Sequence, residues 1–254
     1  MRYRLDVAYH GARFHGWQKQ HGLRTVQGEL EAWIARLLGN SSEVTVFGAG
    51  RTDAGVHALM MPAHFNSPEP VDVDVLHHRL RVALPDDLTV LSLHRVADTF
   101  HARHSAISRC YAYRIRLGHW PFDRDREWQI YESINLATLQ ACAERVVGQH
   151  DFSGFCLNRS LREDNRCTIT ASHWQQDGPR LTYIIRGDRF LHAMVRLLMG
   201  TYIAAARGRW TAEHVSEILS TGQTGLCGDA APARGLTLKE VGFPLGVGEP
   251  GDFH

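Results

Sequence analysis

Arg2-Tyr3-Arg4-Leu5-Asp6-Val7-Ala8-Tyr9 alternates charged or small residues with Tyr3, Leu5, Val7 and Tyr9, so an extended segment here has one apolar face. Such a strand needs a cover. The next periodicity supplies it: Val26, Leu30, Trp33, Ile34, Leu37 and Leu38 recur at helical spacing, with Thr25 at the N-cap position and Gly39-Asn40 ending the run. Val44 to Phe47 and Met61 to Phe65 read as short strands around a loop. Pro68 and Pro70 then break the chain before a second helix over Val75 to Val82, and Leu88 to Val96 supplies a further strand.

The order β-α-β-β-α-β is that of the ferredoxin-like (RRM-like) unit, in which two helices cover one face of an antiparallel sheet and leave the other face free as a platform. The second half repeats the theme. It reads as strand Cys110 to Leu117, helix Leu136 to Val147, strands Thr168 to Trp174 and Leu181 to Arg186, helix Phe190 to Ala206, and strand Leu236 to Val241. The expectation is an α+β chain of two tandem halves, residues 1–104 and 105–254, whose sheets join around a central cleft. No low-complexity linker separates the halves, which favours a tightly packed pair.

Apolar residues make up 44% of the chain and charged residues 22%, the balance of a folded globular protein rather than a disordered one. No stretch is apolar enough for a signal peptide or a membrane span. The five cysteines, Cys110, Cys142, Cys156, Cys167 and Cys227, are scattered and odd in number, with no C-x-x-C pair, so a reduced cytoplasmic setting fits best. The net charge of +1 does not announce a polyanion partner, but its distribution is more telling. Lys19 and Lys239 are the only lysines, and arginines gather at Arg103 to Arg116, Arg159 to Arg166 and Arg186 to Arg196. The planar guanidinium fork suits phosphates and base edges.

Between the second and third expected strands runs Gly48-Ala49-Gly50-Arg51-Thr52-Asp53-Ala54-Gly55-Val56-His57-Ala58. Three glycines in eight positions permit positive φ and close backbone approach, so the loop can turn sharply and present one side chain. Asp53 sits at its centre. Arg51 is placed to pair with that carboxylate or with an incoming phosphate, and a cation there favours the ionised acid.

The string GRTDAGVHA resembles the signature of the TruA-type tRNA pseudouridine synthases. Other segments are similar to that family in the expected order: Phe14-His15-Gly16-Trp17-Gln18 with Val26-Gln27, Phe100 to Ala106, Arg109-Cys110-Tyr111-Ala112-Tyr113, His150-Asp151-Phe152-Ser153, Phe190-Leu191 through Met194-Val195-Arg196, and Ala231-Pro232-Ala233 with Gly235-Leu236. The resemblance therefore spans nearly the whole chain and implies the pseudouridine synthase fold. It implies Asp53 as the essential catalytic carboxylate, Tyr111 as the active-site aromatic and Arg196 as the arginine that holds Asp53 ionised. Arg51, Tyr111, Phe152 and Arg103 are the substrate-binding candidates. The implied substrate is the anticodon stem-loop of tRNA, bound by a homodimer, with no cofactor, no metal and no membrane. The chain departs from the family at His10-Gly11, where Asp-Gly is usual, and at Gly187-Asp188-Arg189-Phe190-Leu191, where a G-N-G-F-L-type turn is usual.

Three other classes compete on the residues alone. A noncatalytic RRM-type module shares the architecture but needs aromatic strings on its strands. Half of an aspartic peptidase is suggested by Asp53-Ala54-Gly55, yet such enzymes need two aspartates sharing a proton. A metallohydrolase is prompted by sixteen histidines, with His77 and His78 adjacent and His101 and His104 three apart, but without an H-E-x-x-H constellation.

Overall fold

A computed structural model describes residues 1–39, 44–157 and 160–250. Asn40 of the expected helix end and Arg159 of the expected arginine cluster lie outside them. The chain folds as two compact units, Met1–Ile107 with Thr237–His254, and Ser108–Leu236.

In the first unit the strands are β1 (Arg2–Tyr9), β2 (Val46–Gly48), β3 (His57–Asn66) and β4 (Leu88–Val96), with helices α1 (Val26–Leu37) and α2 (Val73–Ala83). The strand order is β4-β1-β3-β2, antiparallel throughout, which is the ferredoxin-like arrangement. Thr25 caps α1 by accepting from the Gly28 N–H, and Gly39 at φ +65° turns the chain out of it. Asp72 caps α2 by accepting from the Val75 N–H. Tyr3, Leu5 and Val7 are buried as the alternation requires, with Leu30, Ile34, Met61, Phe65 and Leu80, and Tyr3 stacks on Phe65 at 5.4 Å. Each such side chain contributes about 1.5–3 kcal/mol through burial.

The face of this sheet away from the helices is not the free platform expected of it. Arg4 donates from Nη1 to the Gly248 carbonyl at 3.0 Å and lies 4.9 Å from the Phe243 ring centroid. Phe100 packs on Phe243, and the Ala102 N–H donates to His64 Nδ1. Residues 100–102 and 243–248 thus cover it, because Arg4 and His64 offer polar and π partners rather than bare backbone. The chain's last strand, β10 (Leu236–Gly242), returns to this sheet; its Thr237 and Leu238 run parallel to His57 and Ala58 at the start of β3.

The second unit contains β5 (Ser108–Leu117), β6 (Trp128–Ile130), β7 (Gly148–Asp151), β8 (Arg166–Asp177) and β9 (Arg180–Gly187), with α3 (Leu136–Glu144), α4 (Met194–Ala206) and α5 (Glu213–Thr221). The order β5-β9-β8-β7 is antiparallel, and β6 adds in parallel to β5. Helices α3 and α4 cover one face. Tyr183 meets Tyr202 of α4 edge-on at 5.6 Å, Ser172 donates to the Ala143 carbonyl of α3 at 2.6 Å, and the Trp174 indole donates to the Leu139 carbonyl. On the opposite face, by register, stand Arg114, Arg116, Thr182, Ile184, Arg186 and His173. Those strand positions carry no Phe, Tyr or Trp, unlike an RRM.

Periodicity placed most elements within a few residues. α4 starts at Met194 rather than Phe190, because Ala193 takes a left-handed conformation and ends the preceding turn. The short strands β6 and β7 and the helix α5 were not expected.

Candidate active site

Asp53 is half-buried on the loop between β2 and β3, and the loop is shaped by the segment that follows β1. Trp17 donates its N–H to the Thr52 carbonyl at 3.1 Å, Gly55 donates to the Phe14 carbonyl at 3.2 Å, and Val56 donates to the Asp53 carbonyl at 3.1 Å. The hydroxyls of Tyr9 and buried Thr52 lie 2.9 Å apart. The backbone on both sides of Asp53 and the Thr52 side chain are therefore held in place, which fixes where the Asp53 side chain leaves the loop.

Glycines make this nesting possible. A Cβ on Gly16 would sit 2.6 Å from the Thr52 carbonyl oxygen, and one on Gly11 would sit 2.1 Å from that of Val56. Within the loop itself Gly55 uses positive φ, at +81°. Gly48 is needed for a different reason, since a Cβ there would strike the Trp17 indole at 2.5 Å. The segment from Phe14 to Gln18 is itself secured by Arg24, whose guanidinium lies 4.2 Å from the Phe14 centroid and makes a two-point ion pair with Asp87 at 2.8 Å. That pair holds the Asp87 carboxyl below its usual range. Gly11 also donates to His57 Nδ1 at 3.0 Å, and the His10 ring lies 4.6 Å from that of His57, so the departure at His10 has a partner within the unit.

Arg51 is exposed on the same loop. Arg103 is exposed on the segment after β4, next to Ala102, which is pinned to His64.

The second unit gathers the remaining motif segments. Tyr111 lies on β5, half-buried, with its ring edge-on to Phe190 at 5.1 Å. Arg196 lies in the first turn of α4 and donates from Nε to the Ala231 carbonyl at 2.8 Å, while the Ala231 N–H donates to the Arg196 carbonyl at 2.9 Å. Tyr113 donates its hydroxyl to the Pro232 carbonyl at 2.7 Å, and burial raises its pKa beyond the usual phenol range. Gly235 is required beside it, since a Cβ would lie 2.6 Å from the Tyr113 ring. Three stretches far apart in sequence, around residues 111–113, 196 and 231–235, are thus bound to one another. Tyr113, which the alternation places on the same strand face as Tyr111, anchors the 231–235 segment through its hydroxyl.

Phe152 is fully buried, with His150 edge-on at 6.1 Å and Phe155 at 6.4 Å. Asp188, the acid at the departure from G-N-G-F-L, accepts the Thr168 N–H at 2.9 Å and the Arg189 N–H at 2.6 Å, and its carbonyl accepts from Arg109. It closes the end of the β8–β9 hairpin. Burial pushes the Cys142 and Cys167 thiols up to about 11 and about 12, which makes both poor nucleophiles. Among the described residues no three His, Cys, Asp or Glu side chains are grouped to hold a metal ion, and no helix is long and apolar enough to cross a membrane.

The family model for tRNA pseudouridine synthase matches residues 7–105 and 142–244, and the chain belongs to this family. A tRNA pseudouridine synthase A of Rhodopseudomonas palustris is 36% identical over 245 residues, covering 95% of this chain and 98% of that protein. One of Cutibacterium acnes is 37% identical, covering 96% and 89%, and one of Hyphomonas neptunium is 37% identical, covering 96% and 99%. A chain from a crystal structure of a Cbf5-Nop10-Gar1 complex overlaps with a TM-score of 0.37 at 11% identity, covering 93% of this chain and 57% of its own, which is too slight to carry weight.

Proposed function

We propose that this chain is an isomerase that converts uridine to pseudouridine in tRNA, with Asp53 as its essential carboxylate. The reaction breaks the bond from N1 to the ribose C1′, turns the detached uracil and joins C5 to C1′, with C5 losing a proton and N1 gaining one. Atoms balance without a redox step or a group donor. A uracil in a helical stack hides N1 and C5, so the target nucleotide leaves the stack and enters a pocket.

The observation that carries this reading is the loop from Gly50 to Ala58. Its sequence matches the family signature, and its backbone is locked on both sides of Asp53 by Trp17, Phe14 and the Tyr9–Thr52 contact. In this reading Asp53 acts as nucleophile or ribose-proton abstractor, Tyr111 stacks on the flipped base and assists proton removal from C5, and Arg196 holds Asp53 ionised. Arg51 and Arg103 take RNA phosphates. Phe152, the remaining substrate-binding candidate, is buried against His150 and Phe155, so in this reading it acts through that packing rather than by touching the RNA. The substrate is the anticodon stem-loop, the working species is a homodimer, and the setting is the cytoplasm.

The decisive experiment is a pseudouridine map of unmodified tRNA transcripts after incubation with the purified chain and with Asp53→Asn. Asn keeps the size of Asp and removes its charge. Pseudouridine in the anticodon arm with the unsubstituted chain, and a loss of rate of about a hundredfold or more with Asp53→Asn, is expected. Near-normal turnover by Asp53→Asn would overturn the assignment.

A further inference from the structure

Six residues before Asp53, in the same unit, the edge strand β2 presents Phe47 to solvent with 43% of its surface exposed. An exposed phenylalanine alone is ordinary. This one has a built support. His64, its partner in register on β3, stacks on it at 5.1 Å and 19° between planes, and His101 lies 5.8 Å away. His101 in turn meets His64 at 4.7 Å and His104 at 4.3 Å. The Ala102 N–H donates to His64 Nδ1, which places that ring's proton on Nε2 and fixes its plane.

The chemistry of the cluster is that of a neutral aromatic surface beside cations. Burial, with the neighbouring His101 and Arg2 adding to it, lowers His64 to about 4; burial likewise lowers His101, with His104 and Arg2 adding to it. Both imidazoles are therefore uncharged near neutral pH. Positive charge is supplied instead by Arg51, on the loop leading out of β2, and by Arg103, on the segment that carries His101; both are exposed. Rings that stack without charge, next to guanidinium groups, are the composition that binds unpaired nucleotides: every base has a π face, and every linkage has a phosphate.

We propose that Phe47, backed by His64 and His101, is a stacking platform for an unpaired base of the RNA substrate, with Arg51 and Arg103 taking the adjoining phosphates. The platform lies close to the chemistry. Six residues span at most about 20 Å, so the stacked base is within a few nucleotides of the one engaged by Asp53. The proposal rests on the reading that the chain acts on RNA, and it adds a contact that none of the roles assigned to Asp53, Tyr111 and Arg196 provides.

The test is equilibrium binding of an anticodon-arm hairpin, with a fully paired duplex of equal length as comparison, by the full chain carrying Asp53→Asn so that no turnover occurs. Into that background go Phe47→Tyr, Phe47→Leu and Phe47→Ala, with thermal unfolding run on each to verify the fold. Phe47→Tyr keeps the ring and retains hairpin affinity. Phe47→Leu keeps apolar bulk without a π face and, like Phe47→Ala, weakens hairpin binding about tenfold, the scale of one lost base–aromatic stack. Duplex binding changes little in all three. Leu binding the hairpin as well as Phe, Tyr failing together with Leu, or equal losses for hairpin and duplex would each overturn the platform. Failure of the unsubstituted chain to make pseudouridine would sink the enzymatic reading but is read in a separate assay and leaves the ring dependence of binding intact.

Discussion

Ala193, at φ +61°, is the one non-glycine residue with positive φ among the described residues, and it sits three positions before Arg196. A Cβ in the left-handed region costs roughly 1–2 kcal/mol, and nothing about alanine compensates locally. Ala193→Gly is expected to stabilise the chain by about 0.5–1 kcal/mol, less than the full strain because glycine gains entropy in the unfolded chain. The measurement is the midpoint of urea unfolding, and an unchanged or lower midpoint would show that the strain is absorbed elsewhere. His64 makes a second prediction at this scale. Its folded pKa, about 4, lies below the ordinary value of 6.5, so between these pH values the unfolded chain takes up a proton that the folded chain refuses. Stability is therefore complete above about pH 6.5 and falls as the pH drops toward 4, by no more than about 3 kcal/mol. Urea unfolding at a series of pH values should show this fall, and His64→Asn, which keeps an acceptor for the Ala102 N–H, should flatten it. A parallel decline in both proteins would assign the effect to other groups.

Helix α4 shows how two element-scale effects compete. Gly200 lies within it, and helix propensity alone says that alanine should gain about 1 kcal/mol there. The packing says the opposite. A Cβ on Gly200 would lie 1.7 Å from the Asp229 carbonyl oxygen, and Gly228 donates to Thr201 Oγ1 at 2.9 Å, so the 228–231 segment lies directly on the helix. Gly200→Ala is expected to destabilise the chain by about 1–3 kcal/mol net of propensity, since overpacking forces backbone to move. It should also cut activity, because the displaced segment carries Ala231, the partner of Arg196. A guanidinium melt that shows a gain in stability would refute the close packing. These elements were readable to unequal degrees. α1, α2, β1 and β4 follow from alternation, helical spacing and caps, all local signals. β6, at Trp128–Ile130, and β7, at Gly148–Asp151, are three and four residues long, too short for periodicity to register. The covering of the first sheet by residues 100–102 and 243–248 was unreadable, because it depends on Arg4 and His64 meeting segments about a hundred residues or more from Arg4.

At the scale of the whole molecule, the loop of Asp53 was visible as a glycine-rich string, and resemblance supplied its chemistry. Its supports were not visible, since Tyr9, Gly16 and Trp17 reach Thr52 and its neighbours only through the fold. The same holds for charge. A total of +1 hides the fact that register brings Arg114, Arg116 and Arg186 to one face of the second unit's sheet, from strands about seventy residues apart. If the chain binds tRNA, a face of this kind tracks phosphates, and each phosphate neutralised releases condensed counterions. The affinity for an unmodified tRNA transcript should then fall linearly on a log–log plot against salt. Substituting Arg114 or Arg116 by Gln should lower the steepness by about one unit for each phosphate no longer neutralised, and the effect should be nearly uniform across tRNA sequences. Phe47→Leu should instead weaken binding at every salt concentration and leave the slope in place, since stacking releases no counterions. A slope unaffected by Arg114→Gln and Arg116→Gln together would remove this face from the RNA path and leave Arg51 and Arg103 as the groups that neutralise the phosphates.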